Sequence, residues 1–298
     1  MKNETNKPIL LLVDGMALLF RAFYATAVTG QFMVNSNGVP TNAVQGFVKH
    51  LWTALQTFHP THVAVCWDMG SQTFRNKLYK AYKANRGEAP VELVPQFELA
   101  KEIVEAFDIP NIGMEGYEAD DCIGTLAQKN CSDTHVLILT GDQDILQLVD
   151  EHITVSILKK GFGNYAIYTM ENFYKEKGIS PKQIIDLKAL MGDASDNYPG
   201  VRGIGEKTAL KLLQQFSTVD NIVKNVNQLT KAQKTKIEAD LEMLYLSRKL
   251  AEIHCRVPIT FSLEEAGFSV NETKVTEKFK EMEYKGLYRF VHFEKQSG

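Results

Sequence analysis

The chain has 298 residues, of which 44% are hydrophobic and 23% charged, and it carries a formal net charge of −3 at pH 7. These values are ordinary for a globular protein with a full core, and no apolar run is long enough to cross a membrane. The run at 9–13 is also too short for the core of a signal peptide, so the sequence predicts a cytoplasmic protein. Four cysteines without CxxC spacing predict reduced thiols and argue against a zinc site.

The first two predicted strands are each followed by an aspartate. Residues 9–13 form a continuous apolar run that predicts a buried strand, and Asp14 follows it. A helix should come next, and a second helix over about 41–58. Residues 62–67 predict another strand, which ends in Asp68. One aspartate after a strand is commonplace in turns, so these positions gain meaning only if a third strand repeats the arrangement.

The stretch 116–144 supplies that repetition. The run 135–140 predicts a strand buried on both faces, with Asp142 and Asp144 at its carboxyl end, where sites gather in open α/β sheets. Before it, an acidic group opens a predicted helix, where the helix dipole favours negative charge. Crowded carboxylates repel one another unless a cation is present, and oxygen ligands without nearby His or Cys indicate Mg²⁺ or Mn²⁺. A solvated acidic loop with an ordinary helix cap is the alternative. The acidic group comprises Glu118, Asp120 and Asp121.

Residues 71–87 contain five basic residues and no acid. Aromatic residues are interleaved, a pattern that favours a strand of nucleic acid, with cations for phosphates and rings for unpaired bases. A lysine-rich solvated helix is the alternative. The net charge agrees with the first interpretation: if nine acids form a metal site, 33 basic residues face 27 remaining acids, a balance of +6. The residues are Arg75, Lys77, Lys80, Lys83 and Arg86, with Phe74, Tyr79 and Tyr82.

More acids follow in the second half of the chain. Residues 153–158 and 165–168 predict a strand pair, placed at the sheet edge. A helix over 181–191, with its proline in the first turn, leads into Asp193 and Asp196. If the helical turn continues, both carboxylates face the same way.

A glycine-rich turn at 197–205 precedes a strong helix. The pattern is not GxGxxG and no strand precedes it, which argues against a dinucleotide site. A glycine hairpin between two helices exposes backbone N–H groups and predicts a clamp for duplex phosphates; a plain helical hairpin is the alternative. Lys207 and Lys211 add positive charge there. From Asp220 onward the chain is predicted to be helical, with residues 282–293 packed back onto the core.

Together these motifs resemble the 5′ nuclease (flap endonuclease) family, which includes the N-terminal nuclease domain of bacterial DNA polymerase I and free-standing bacterial and phage relatives. The resemblance rests on LLLVDG, AFYA at 22–25, TFR, YKANR, GYEADD, TGDQD and GDASDNYPGVRGIGEKTA, in the family's order. It implies an α/β fold with a central, mostly parallel sheet flanked by helices (a PIN-like 5′ nuclease core), a helical arch, and a helix–three-turn–helix module that binds DNA. The expected core is 1–179 with the arch at about 71–95, and the helical part is 180–298 with the module at about 186–216. The resemblance favours a free-standing member, with an excised polymerase domain as the alternative.

The resemblance also implies roles for individual residues. Two Mg²⁺ ions, with Mn²⁺ as a substitute, would be bound by nine acids. Lys83 and Arg86 would be the catalytic basic pair at the scissile phosphate, and Tyr82 would stack on the terminal base. A potassium ion would bind backbone carbonyls of the module. The acids are Asp14, Asp68, Glu118, Asp120, Asp121, Asp142, Asp144, Asp193 and Asp196. The carbonyls are those of Leu190, Met191, Pro199, Val201 and Ile204. The DNA-binding set is Arg21, Arg75, Lys77, Lys80, Tyr82, Gly203, Gly205, Lys207, Thr208 and Lys211.

The implied activity is structure-specific 5′-3′ exonuclease and flap endonuclease hydrolysis of DNA by two-metal-ion catalysis, in replication and repair. The expected substrates are DNA with 5′ flaps, nicks or free 5′ ends, and 5′ ends of RNA–DNA hybrids. The enzyme is expected to be a monomer, associated with the bacterial nucleoid and without a membrane partner. Two alternatives stay open: a non-catalytic DNA-binding protein with the same fold, and a metal-dependent ribonuclease. A phosphatase with Asp14 as nucleophile is disfavoured, because residue 16 is Met where a second Asp would be needed.

Overall fold

A six-stranded sheet lies at the centre of the computed structural model, which describes residues 7–27, 30, 32–284 and 286–291. The strand order is β3-β2-β1-β4-β5-β6, and every neighbouring pair is parallel except β5 and β6, which are antiparallel at the edge. The expected mostly parallel sheet and the strand pair expected at its edge are therefore confirmed. The strands are β1 (Ile9–Asp14), β2 (His62–Cys66), β3 (Asn111–Ile112), β4 (His135–Thr140), β5 (Ile153–Leu158) and β6 (Tyr165–Tyr168).

Helices cover both faces of the sheet and dominate the second half of the chain. The first five are α1 (Gly15–Thr26), α2 (Asn42–Phe58), α3 (Phe74–Leu78), α4 (Val94–Ala106) and α5 (Ala119–Asn130). The others are α6 (Met170–Lys177), α7 (Gln183–Met191), α8 (Glu206–Phe216), α9 (Val219–Lys224), α10 (Lys231–Ala239), α11 (Leu241–Ala251), α12 (Glu272–Glu281) and α13 (Leu287–Phe290).

The alternation of side chains along β1 builds two cores, because successive residues of a strand point to opposite faces. Leu10 and Leu12 belong to the core that contains α5 and the helices α6 to α11. Leu11 and Val13 belong to the core made with α1, α2 and α4. Buried residues of α12, α13 and the chain up to Val291 join this second core, as expected for 282–293; residues 292 and 293 lie outside the described residues.

The arch segment, residues 71–95, differs from its prediction. Only α3 is helical before α4 begins; the described chain between them forms turns and irregular structure. Thr73 and Asn76 cap the start of α3, whereas Tyr79 adopts extended φ and ψ angles and ends it. Lys83 has a φ of 54°, a left-handed conformation that interrupts a helix. Residues 79–93 of the expected arch are therefore not helical, and they contact residues 193–198: the backbone N–H of Lys83 donates to the Asp196 carbonyl and the Asn85 side chain to the Ala194 carbonyl.

The helix before Asp193 ends where the pattern suggested, and its helical turn does not continue to Asp196. α7 starts at Gln183 and stops at Met191, and Gly192 follows with a φ of 74°. Asp193 and Asp196 therefore lie in a tight turn and not on a continuing helix. Among the described residues, none of the helices combines the length and apolar character that crossing a bilayer requires.

Candidate active site

Acidic side chains meet at the carboxyl edge of the sheet because three neighbouring strands end there. Asp14 is the last residue of β1, and Asp68 and Asp142 each follow the adjacent strands β2 and β4 by two residues. The first turn of α5 brings further carboxylates to the same edge. They line a cavity of about 260 Å³ that also has a basic wall. Its acidic residues are Asp14, Asp68, Glu118, Asp120 and Asp142, and its basic residues are Lys83 and Arg86.

Asp14 is buried and tightly held. One carboxylate oxygen accepts the N–H of Ala17 at 2.9 Å, which caps α1, and the other accepts the Thr140 hydroxyl at 2.7 Å. Burial raises the pKa of Asp14 from 3.8 to about 6, and the charges of Asp68 and Asp142 add to the increase. Burial likewise raises the pKa of Asp120 well above its usual value, with Asp142 and Asp14 contributing. The cavity thus concentrates negative charge that a cation would stabilise.

A second acidic group lies beside the first and surrounds a lysine that sequence reasoning missed. The Lys188 ammonium lies 2.7 Å from Asp144 Oδ1 and also pairs with Asp193. Burial and repulsion from Asp142 raise the pKa of Asp144 to about 7, although Lys188 opposes the change. Lys188 precedes Asp193 by five residues on α7, so its position ahead of the GDASD motif was the available signal.

Lys83 and Arg86, expected at the scissile phosphate, line the cavity and are each paired with an acid. Lys83 Nζ lies 2.9 Å from Glu118 Oε1, and Arg86 Nη2 lies 2.6 Å from Asp196 Oδ1. The Lys83 N–H also donates to the Asp196 carbonyl at 2.9 Å. The structure therefore places both basic side chains beside carboxylates at the wall of the cavity.

Tyr82 does not occupy the position expected of a base-stacking residue. Its side chain is 3% exposed, and its hydroxyl donates to Asp196 at 2.9 Å and approaches Glu118 at 3.2 Å. Its ring stacks on Tyr198 with centroids 6.4 Å apart. In this conformation no face of the ring is open to a nucleotide, so the expectation of base stacking is corrected.

Asp121 and Arg75 also differ from their expected roles. Both oxygens of Asp121 accept hydrogen bonds from the Arg75 guanidinium, each at 2.8 Å. Neither side chain reaches the surface, with 0% and 3% exposed. Asp121 therefore has no oxygen directed at the cavity for a metal ion, and Arg75 has no donor available to DNA. The sequence suggested otherwise because both residues sit in strongly charged stretches.

The donor set fits hard divalent ions, but the carboxylates are not gathered around one point. Among residues 7–27, 30, 32–284 and 286–291, no three Asp, Glu, His or Cys side chains form a ready-made ligand cluster. Lysine and arginine partners hold Glu118, Asp144 and Asp196 instead. Buried carboxylate oxygens whose pKa values are raised, as at Asp14 and Asp144, would be stabilised by a divalent cation.

The glycine hairpin lies at the surface, between α7 and α8. Gly203 is exposed and has a φ of 78°, and Gly205 caps the start of α8, as a hairpin of exposed backbone requires. Two contacts that the sequence did not reveal hold the hairpin against α10 and Asp240. Lys236 Nζ donates to the Gly203 carbonyl at 2.8 Å, and Arg202 Nη2 lies 2.6 Å from Asp240.

The other predicted DNA-binding residues are distributed over the surface. Lys77, Lys80, Lys207 and Lys211 are exposed, and Thr208 is half-buried. Arg21, half-buried on α1, donates to the Lys159 carbonyl.

The proposed potassium carbonyls are partly engaged in the hairpin itself. The Leu190 carbonyl accepts the Val201 N–H at 2.9 Å, and the Val201 carbonyl accepts the Ile204 N–H at 3.0 Å. Pro199 packs against Gly192, where the backbone leaves no room for a side chain. Met191 is half-buried. Each carbonyl oxygen has two lone pairs, so those of Leu190 and Val201 retain one for a further partner.

Comparison with protein families gives two matches that together span most of the chain. The N-terminal resolvase-like domain of 5′-3′ exonucleases matches residues 9–179, and the C-terminal SAM fold of 5′-3′ exonucleases matches residues 179–275. A Bacillus subtilis 5′-3′ exonuclease is 55% identical over 96% of this chain and 97% of its own length. DNA polymerase I of Bacillus caldotenax is 42% identical over 94% of this chain, which spans 32% of that longer protein.

Two solved structures share the fold. T5 5′-exonuclease with bound zinc ions aligns with a TM-score of 0.66 at 23% identity, over 93% of this chain and 98% of that one. The catalytic core of Rad2 in complex with DNA substrate aligns with a TM-score of 0.62 at 16% identity, over 96% of this chain and 93% of that one.

Proposed function

Because this chain belongs to the 5′-3′ exonuclease family and is a nuclease, we propose that its acidic cavity hydrolyses DNA phosphodiesters near 5′ ends. It would act as an exonuclease and a flap endonuclease in replication and repair. The observation that carries this proposal is the cavity itself, in which five carboxylates face two basic residues at the carboxyl edge of the sheet. A non-catalytic DNA-binding protein would not need buried carboxylates whose burial opposes ionisation.

The proposed cofactors are two Mg²⁺ ions, for which Mn²⁺ can substitute. Bound there, divalent ions supply Lewis-acid catalysis of phosphodiester hydrolysis. The acids around the cavity would hold one ion, and Asp142 with the second acidic group would hold the other. Asp121 is excluded from direct ligation, because all of its acceptor positions are used within the protein. The direct or water-mediated ligands are Asp14, Asp68, Glu118, Asp120, Asp142, Asp144, Asp193 and Asp196.

Lys83 and Arg86 would orient the scissile phosphate and stabilise the charge that develops on it. Their distances of 2.9 and 2.6 Å to Glu118 and Asp196 place them at the wall of the cavity. A donor positioned in this way is often worth about 10²–10³ in rate. The side chains of Lys83 and Arg86 are long and flexible, so each can exchange its carboxylate partner for a phosphate oxygen.

Substrate choice would depend on DNA structure and not on base sequence. The hairpin around Gly203, with exposed Lys207 and Lys211 on α8, would hold the duplex backbone, with potassium on the hairpin carbonyls. Residues 71–87, with exposed Lys77 and Lys80, would order the free 5′ strand. The proposed substrates are 5′ flaps, nicks and free 5′ ends, including those of RNA–DNA hybrids, and the enzyme would act as a monomer at the bacterial nucleoid.

The division of labour would follow the two halves of the chain. We place the nuclease core at 1–179 and the helical part with its DNA-binding module at 180–298. The two family matches, which meet at residue 179, support this boundary.

A direct test uses 5′-labelled flap, nicked and single-stranded DNAs incubated with Mg²⁺ or with EDTA. We expect cleavage near the flap junction with Mg²⁺ and none with EDTA. Asp142→Ala or Asp144→Ala should abolish cleavage while DNA affinity stays within about tenfold, since these acids are assigned to metal and not to phosphate. Asp133→Ala, at an exposed position before β4, is the matched control. Cleavage that survives in both cavity variants would contradict the assignment.

A further inference from the structure

Arg75 is buried at the back of the acidic site, although Lys77 and Lys80 of the same basic stretch are exposed. Its side chain is 3% exposed. The guanidinium makes a bidentate pair with Asp121, both distances being 2.8 Å, and lies 3.5 Å from Glu118 Oε2. Its other donors reach the carbonyls of Leu250 at 3.0 Å and Glu252 at 2.8 Å, at the end of α11. A planar fork with five N–H groups suits this site in a way that lysine would not.

Asp121 connects Arg75 to the residues of the cavity. Besides the guanidinium, its oxygens accept the N–H of Glu118 at 3.0 Å and the N–H of His254 at 2.8 Å. An ionised carboxylate has about four acceptor positions, so these contacts use its capacity. Glu118 is the N-cap residue of α5, and Glu118 and Asp120 at the start of this helix line the cavity.

The chain that follows α11 also packs against α5, about one turn beyond Asp121. The Val257 N–H donates to the Thr125 hydroxyl at 3.0 Å. A Cβ placed at Gly124 would come within 2.7 Å of Ile253 Cγ2, so the two segments are in close contact. Arg75 therefore joins three elements that are far apart in sequence: α3, the start of α5 and the end of α11.

We propose that Arg75 is a positioning residue of the nuclease site, which acts through Asp121 to hold Glu118 and Asp120 where they bind the divalent ions. This inference rests on the proposed metal-dependent function. It makes the end of α11 part of the support of the active site, and it replaces the contact with DNA that the basic stretch suggested. Supporting residues of this kind are commonly worth about 10–100-fold in metal affinity or activity.

The test measures Mn²⁺ binding directly, by electron paramagnetic resonance of free Mn²⁺ in a titration of the full chain, besides cleavage. Arg75→Gln should weaken Mn²⁺ binding and single-turnover cleavage by about 10–100-fold, and raising Mn²⁺ should recover part of the rate. Arg75→Lys should recover little, because an ammonium cannot make the bidentate pair. Affinity for a flap DNA in EDTA, and its salt dependence, should stay unchanged within about twofold.

Arg248→Gln is the matched control. Arg248 lies on α11, the helix whose end Arg75 contacts, and pairs with two buried or half-buried acids, its Nε being 2.8 Å from Asp186, but it does not line the acidic cavity. It should lower the melting temperature without changing Mn²⁺ affinity, which separates positioning from a general loss of stability. Arg75→Gln combined with Asp121→Asn removes both charges together, so it tests the idea if the single variant does not fold. Since the two residues act as one unit, the double variant should lose about as much Mn²⁺ affinity as either single one.

Two results would overturn the inference. One is a folded Arg75→Gln or double variant that binds Mn²⁺ as the wild type does. The other is a loss of DNA affinity in EDTA with a salt slope smaller by about one, which would identify a phosphate contact. Failure of the proposed function would look different. The wild type itself would then show no Mn²⁺ binding that depends on Asp142, so Asp142→Ala would leave the Mn²⁺ titration unchanged.

Discussion

Replacing Asp14 by asparagine should make the metal-free protein more stable while it abolishes cleavage. Burial and neighbouring acids raise the pKa of Asp14 from 3.8 to about 6. Since a tenfold change in a proton-binding equilibrium is worth about 1.4 kcal/mol, keeping this carboxylate ionised in the folded protein costs about 3 kcal/mol. Asparagine removes that cost, can still accept the Ala17 N–H, and can donate its amide to the Thr140 hydroxyl oxygen.

The effect has a defined pH window. Because the folded-state pKa lies above the unfolded one, the folded protein binds more protons between about pH 4 and pH 6, and the wild type loses stability as pH rises through this range. The advantage of Asp14→Asn should therefore be small near pH 4 and reach about 2–3 kcal/mol above about pH 7. Asp144, with a pKa of about 7, extends the wild-type decline to higher pH.

Urea unfolding in EDTA at about pH 5 and about pH 8 measures this difference, and thermal unfolding should show an increase of about 3–5 °C at the higher pH. Asp133→Asn, at an exposed position, is the control and should change neither value. Added Mg²⁺ should stabilise the wild type more than Asp14→Asn, because a ligand stabilises only the state that binds it. A variant that is no more stable than the wild type at pH 8, or whose advantage does not vary with pH, would refute the reasoning.

Three further outcomes are expected. Lys188→Ala removes the cation beside Asp144, so the pKa of that carboxyl should rise further above its ordinary value. The acid limb of the pH–rate profile should then move up by about one pH unit. An unchanged profile would argue against a role of Lys188 at Asp144. Lys83→Ala should reduce single-turnover cleavage by about 10²–10³ while DNA affinity changes little; an equal loss of both would indicate simple binding. Gly203→Ala places a side chain at a φ of 78° and within 2.9 Å of Lys236 Nζ. Affinity for duplex DNA, measured by filter binding, should therefore fall about tenfold, whereas affinity for single-stranded DNA should not change. Unchanged duplex affinity would show that the hairpin does not hold the duplex.

Much of the sheet could be predicted because its signals are local. The runs at 9–13 and 135–140 are β-branched and apolar, and strands buried on both faces have that composition. The meeting of Asp14, Asp68 and Asp142 followed from a general rule, since parallel neighbouring strands end at the same edge. The roles assigned to these acids stay predictions; what the structure adds is their common cavity.

The contacts that could not be predicted join residues far apart in the chain. An arginine within a basic stretch predicts a surface residue, and only the folded structure shows the partners of Arg75 on α5 and beyond α11. The same holds for Tyr82, whose hydroxyl partners lie 36 and 114 residues away. The irregular path of residues 79–93 has a similar origin, because Asn85 and Arg86 donate to carbonyls of Ala194 and Ser195. Local helix propensity contains no information about such partners.

The last helices of the chain have a consequence for how the protein can be divided. α12, α13 and the residues between them contribute Phe279, Tyr284 and Leu287 to the core on the α1 and α2 side of the sheet, whereas α6 to α11 close the opposite side. A fragment that stopped at residue 179 would leave both faces of β1 and β4 partly uncovered. The two halves are therefore not separable pieces: we expect such a fragment to aggregate, and a chain cut once between α11 and α12 to remain associated until it is denatured.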